Sequence, residues 1–123
     1  LRAVAFNHSN PMPQNEIKPC ELYNLAHNPR AANGVKATYR FRGNWEMLDQ
    51  CIVSGSLLIE GKHLHAKPNC LKIVSHEFLL TPDKSHGNSM PWRTYQGPIY
   101  KGGFSDHLPI LLELEYGSTP PGN

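Results

Sequence analysis

No stretch of about eighteen apolar residues occurs anywhere in the chain, which excludes a membrane-crossing helix of ordinary length. The first ten residues also lack the basic start and long apolar stretch of a secretory leader, so the chain reads as soluble, with no membrane partner expected. Cysteine is scarce. Cys20, Cys51 and Cys70 are odd in number and contain no CxxC pair, which argues against a zinc ribbon and a closed disulfide framework and leaves room for one disulfide at most. An excess of either charge is missing too: the formal charge is +2 with seven histidines counted neutral, too small to announce a nucleic-acid binder on charge alone. The chain opens on Leu1 rather than Met, so an upstream segment is expected.

What remains is ordinary globular material, 39% apolar and 18% charged over 123 residues, enough for one small domain with a modest core. Helical periodicity is thin. Residues 18–27, with Pro19 near a first turn and Asn28-Pro29 as a breaker, give one short helix. Strand patterns are commoner. Leu1 to Phe6 is a short strand stopped by turn formers at residues 7–13. From Ala37 the period is two, with Ala37, Tyr39 and Phe41 on one face and Thr38, Arg40 and Arg42 on the other. Gly43-Asn44 turns the chain into a second strand, Leu48 to Val53, and the pair is expected to form a hairpin. Residues 71–80 are apolar and less regular, and 82–91 read as a loop. Leu108 to Tyr116 alternates most cleanly, with Glu113 and Glu115 opposite Leu108, Ile110, Leu112, Leu114 and Tyr116. Residues 117–123 carry nothing to bury and read as a flexible tail behind a domain at 1–116.

Chemistry concentrates at Gly102-Gly103-Phe104-Ser105-Asp106-His107-Leu108-Pro109, where a hydroxyl, a carboxylate and an imidazole stand just before the best strand. Glycines there let the backbone approach a ligand closely, and strand ends favour active sites. A glycine-rich loop with a surface Asp-His is the plain alternative. The stretch resembles the Ser-Asp-His-x-Pro motif that closes the catalytic domain of the endonuclease/exonuclease/phosphatase superfamily. Trp45 to Ser54, with Leu48-Asp49 and Ile52-Val53-Ser54, is similar to that superfamily's Leu/Ile-Asp-x-x-hydrophobic-Val-Ser strand. Between them, Pro91-Trp92-Arg93-Thr94-Tyr95 resembles a Pro-x-Arg-Thr-Tyr segment of one bacterial branch. The motifs stand in the family's order and cover roughly residues 19–116.

The resemblance implies an α/β (α+β) chain forming the C-terminal half of a four-layer sandwich, mostly antiparallel strands with little helix. It implies a catalytic set of Asp49, Asp106 and His107, with Asp49 accepting a hydrogen bond from His107 and His107 meeting a phosphoryl group. Asp106 would help bind or orient the metal-activated water, or a second metal, and the divalent ion, Mg²⁺ or Mn²⁺, is expected only for the complete domain. Asn7, Ser105 and Arg93 would contact a phosphate ester substrate, nucleic acid among the candidates. The Asn and Glu that hold the principal metal in the family's first half have no counterpart here. For the expected Gly-Asp-Phe-Asn-Asp strand end the one candidate is Val4 to His8, which keeps the Asn as Asn7 and has Ala5 for the Asp; otherwise the equivalent strand went with the missing half. Two functions are open to such a chain: a metal-dependent phosphoester hydrolase present as an incomplete domain inactive alone, or a catalytically dead binding or assembly module. Half a sandwich would also expose an apolar face, so self-association or pairing with the missing half is expected.

Other residues have plain readings. His63 and His65, two apart on a strand, could be metal ligands but lack a third. His8, His27, His76 and His86 read as surface or locally bonded, and Arg40 and Arg42 as a solvated sheet face or phosphate contacts. Trp92 and Tyr95 read equally as loop packing or as stacking surfaces for a substrate.

Overall fold

A computed structural model describes residues 2–117; the flexible-tail expectation for 118–123 lies outside them. The elements in chain order are β1 (Val4–Ala5), β2 (Leu22–Asn24), β3 (Tyr39–Phe41), β4 (Asn44–Glu46), β5 (Ile52–Ser54), the single-turn helix α1 (Gly55–Leu58), β6 (Leu64–Ile73), β7 (Leu80–Pro82), β8 (Ser89–Pro91), β9 (Tyr95–Gln96), β10 (Ile99–Tyr100) and β11 (Ile110–Tyr116). Strands dominate, helix is slight, and the small sheets are mostly antiparallel, as the fold class expected. The described residues divide into two compact units, one of residues 2–29, 50–71 and 112–117, the other of residues 30–49 and 72–111.

In the first unit β2 lies between β1, parallel to it, and β5, antiparallel. The helix expected over 18–27 is absent, and its second half is β2. Two facts explain the difference. Pro19 sits in a turn closed by the Glu21 N–H on the Lys18 carbonyl at 3.1 Å, so it pre-sets a bend rather than a first helical turn. Beyond it, Tyr23 and Leu25 alternate inward, buried to 1% and 0% exposure, while strands on both sides satisfy the backbone. Ring packing is reinforced by polarity: the Tyr23 hydroxyl accepts the Lys18 N–H at 2.9 Å and donates to Glu21 at 3.2 Å.

In the second unit Val35, Ile73 and Leu108 form a core over which Trp45, Met47, Leu79, Leu80 and Ile110 pack. The expected hairpin is real, but β3 pairs with β4, not with residues 48–53. Arg42 and Gly43, at φ 47° and 82°, form the two-residue turn whose twist suits a hairpin, so pairing begins directly at Asn44. Residues 47–51 belong to no strand, and β5 alone survives of the second expected strand, paired with β2. The facing of β3 is also reversed. Thr38 and Arg40 are buried and Phe41 is 47% exposed. Arg40 tolerates burial because its guanidinium donates to the carbonyls of Gly87 and Ser89, both at 2.8 Å, and lies 3.4 Å from the Asp83 carboxylate. Of the loop expected at 82–91 only residues 83–88 form a turn; Pro82 ends β7 and residues 89–91 are β8, its hairpin partner. β11 starts at Ile110, and Leu114 and Tyr116 are exposed rather than aligned with an inner face. None of the three cysteines is in a disulfide.

Candidate active site

Gly103 fixes the loop that carries the Ser-Asp-His run. A Cβ there would overlap the Trp92 carbonyl, so only glycine lets residues 102–105 close on Trp92 and Arg93. Hydrogen bonds then lock the contact: Gly103 N–H to the Arg93 carbonyl at 3.0 Å, and Phe104 N–H to the Trp92 carbonyl at 2.9 Å. The close approach expected of this glycine is thus made by the protein's own backbone. Downstream, the Ser105 hydroxyl oxygen accepts the His107 N–H at 3.0 Å, a local turn that sets the direction of the next residue.

His107 bridges to Tyr39 as an isolated antiparallel pair, and the Leu108 N–H reaches the Thr38 carbonyl at 2.8 Å. That pairing brings the strand end beside Asp49, fifty-eight residues away in the chain. The Asp49 carboxylate lies 2.7 Å from His107 Nδ1. Thr38, fully buried, joins them: its Oγ1 accepts the Asp49 N–H at 3.4 Å, and its hydroxyl bonds the carboxylate. Burial pushes the Asp49 carboxyl up, but the bonds from Thr38 and His107 and the nearby imidazole charge outweigh it, holding the group below the usual aspartate value. An ionised carboxylate only accepts, so Nδ1 carries the proton of the bond and, in the neutral ring, Nε2 keeps its lone pair. Nε2 has no partner among the described residues. With side chains 38% and 37% exposed, His107 and Asp49 are open to a ligand.

Tyr39 stacks obliquely on the imidazole with ring centroids 5.0 Å apart, and Arg93 packs over the Tyr39 ring in turn, 5.4 Å from its centroid. One Arg93 N–H is held by the Arg40 carbonyl at 3.0 Å, leaving other donors for an anion. Asp106 is exposed and unpaired among the described residues. Among those residues no three His, Cys, Asp or Glu side chains come together, so Asp106 offers one oxygen ligand and not a closed site for a hard divalent ion. Asn7 belongs to the other unit, where its side-chain oxygen accepts the Ser9 N–H at 3.0 Å in a turn after β1. His63 and His65, rings 6.0 Å apart, gain no third ligand either: His65 Nε2 lies 3.1 Å from Glu115.

Sequence reasoning missed Thr38 and Tyr39. Their one signal was position: both precede the Gly43 turn in the strand whose facing was misjudged. Neither curated proteins nor solved structures include a significant match to this chain. Its sequence matches the Endonuclease/Exonuclease/phosphatase family over residues 8–116, nearly its whole length. The chain therefore belongs to the Endonuclease/Exonuclease/phosphatase family, whose general chemistry is phosphoester hydrolysis.

Proposed function

We propose that this chain carries the acid–base half of a phosphoester hydrolase site, with His107 as the group that meets the phosphoryl and Asp49 as its positioning residue. The observation that carries the reading is the 2.7 Å Asp49–His107 bond with Nε2 left open. In this reading Asp49 fixes the tautomer and stabilises the imidazolium, while Nε2 takes a proton from water or gives one to a phosphoryl or leaving-group oxygen. Thr38 orients Asp49. Tyr39 limits rotation of the imidazole. Ser105 keeps a hydroxyl proton to donate after accepting from His107, and Arg93 offers planar donors to a phosphate oxygen.

Family membership implies a divalent ion, Mg²⁺ or Mn²⁺, that would neutralise charge on the phosphoryl oxygens when bound. The described residues do not complete its coordination, and Asp106 would add one oxygen to ligands supplied from elsewhere. We accordingly read the chain by itself as a poor catalyst, an incomplete C-terminal portion that self-associates or pairs with the missing part; a clean monomer in concentrated light scattering would count against that association. The test of function is hydrolysis of bis-p-nitrophenyl phosphate with Mg²⁺ by the natural gene product. His107→Ala should lose about a hundred- to ten-thousandfold in kcat/KM; undiminished turnover would remove the role.

A second reading, a binding or assembly module without catalysis, is favoured by Ala5 at the expected Asp position and by the lack of a three-ligand cluster among the described residues. Calorimetry with Mn²⁺ separates the two, because the module should show no tight, saturable uptake.

A further inference from the structure

A groove of about 570 Å³ opens in the second unit, within the size range of ligand sites. Its walls hold Arg40, Arg42, Lys84, Arg93 and Lys101 against one carboxylate, Asp83. That carboxylate is already engaged, 3.4 Å from Arg40 and 3.3 Å from His86, and is buried. Arg42, Lys84 and Lys101 have no ion pair among the described residues, so their charge is uncompensated by the protein. Arg40 adds a second sign of an absent partner. Its Nε–H is the sole buried side-chain polar atom among the described residues without a hydrogen bond, in a wall of this same groove.

Aromatic surface accompanies the charge. Trp92 and Phe41 line the groove at 36% and 47% exposure. Next in the chain, the β9–β10 hairpin sets Tyr95 directly opposite Tyr100, 59% and 67% exposed, with ring centroids 5.5 Å apart. Gln96 of the same hairpin lines the groove. Rings this exposed gain little from folding, and beside unpaired cations they suit a ligand that alternates anionic charge with flat apolar faces. An unpaired polynucleotide strand has that character, one phosphate and one open π-face per unit. A duplex hides its faces, a cyclitol phosphate has none, and a phospholipid offers aliphatic chains instead.

Arg93 links the groove to the reacting group, since it lines the wall and packs on Tyr39, whose ring touches His107. We propose that the groove and the β9–β10 hairpin bind single-stranded nucleic acid, with phosphates along Arg42, Lys84 and Lys101 and bases against Trp92, Tyr95 and Tyr100. The assignment deepens the hydrolase reading and rests on it only for the cleavage of the bound strand.

Fluorescence anisotropy of a labelled oligothymidylate about 12 nucleotides long, titrated with the full chain in EDTA, reads binding without turnover. Lys84→Gln/Lys101→Gln should weaken it about tenfold and flatten its salt dependence. Tyr95→Leu/Tyr100→Leu should weaken it about five- to tenfold with the salt slope retained. All four side chains are exposed, and circular dichroism of each double variant confirms that it folds. Equal affinity for a duplex, equal competition by inositol hexaphosphate or anionic vesicles, or wild-type binding by the tyrosine variant would overturn the proposal. Loss of the His107 role in turnover, with both binding losses intact, would instead sink the hydrolase reading and leave the groove standing.

Discussion

Each unit of the molecule contains an imidazole paired with a carboxylate, and the His65–Glu115 and His107–Asp49 pairs differ in what they leave open. His65 is buried, with Nδ1 3.0 Å from the His63 carbonyl and Nε2 3.1 Å from Glu115, so both ring nitrogens are occupied by the protein. His107 is half open, spends Nδ1 on Asp49 and has no partner for Nε2 among the described residues. A His–carboxylate distance alone therefore does not mark a reacting site. His107 differs from His65 in having an unspent nitrogen on a half-exposed ring whose other nitrogen is fixed, a feature it shares with His86, whose Nδ1 lies 3.3 Å from Asp83. The His65 pair ties β6 to β11, an internal bond of structure.

The sharpest way to break this comparison is to remove each imidazole. His107→Ala should reduce phosphodiester hydrolysis by the natural gene product about a hundred- to ten-thousandfold with an unchanged melting temperature. His65→Ala should do the reverse, leaving turnover per folded molecule unaltered. If the two exchanged these outcomes, the roles would have to be exchanged as well.

Second in size is Asp49→Asn. An amide can present its NH₂ or its oxygen to Nδ1, so the tautomer is no longer imposed, and kcat should fall about ten- to hundredfold with the fold intact. Far-ultraviolet circular dichroism checks the fold, and wild-type kcat would show that Asp49 does not order the ring. On the stability side, His65→Ala removes a buried ring with its bonds to the His63 carbonyl and Glu115 and should cost about 1–3 kcal/mol in chemical denaturation.

Smaller effects concern Thr38 and acid. Thr38→Val keeps the shape and removes the hydroxyl that helps hold the Asp49 carboxyl down, so its pKa should rise and the acid limb of the pH–rate profile should move to higher pH. An unmoved limb would show that this hydroxyl does not tune the pair. Because the folded value of Asp49 is depressed, its stabilising contribution is complete above the unfolded aspartate value and fades as pH falls through the folded one. Exposure keeps that contribution small. Urea midpoints of wild type and Asp49→Asn should converge in acid and separate toward neutrality.

Asp49 and His107 were legible because motif order and residue chemistry agreed, and the structure brings them into contact. The strand assigned to Asp49 was not, because Leu48 to Val53 alternates acceptably while the two-residue turn at Arg42-Gly43 gives β3 its partner earlier. Thr38 escaped for a related reason. Local alternation put it on the wet face, and the ion pair that lets Arg40 go inside involves Asp83, more than forty residues onward. Likewise Pro19 reads equally as a helix start or a turn, and pairing of β2 with strands on both sides decided the matter. Tertiary partners of this kind leave no periodic trace in the segment they control. The gluing of Gly103 to Trp92 was half visible: the glycine pair announced a close approach, but not to what.

The central claim is that Asp49 acts through His107. A double-mutant cycle in hydrolysis of bis-p-nitrophenyl phosphate measures that coupling, using wild type, Asp49→Asn, His107→Ala and the double variant of the natural gene product with Mg²⁺. The account predicts that the double variant is no slower than His107→Ala. An Asp49→Asn penalty of the same size with and without the imidazole would contradict it.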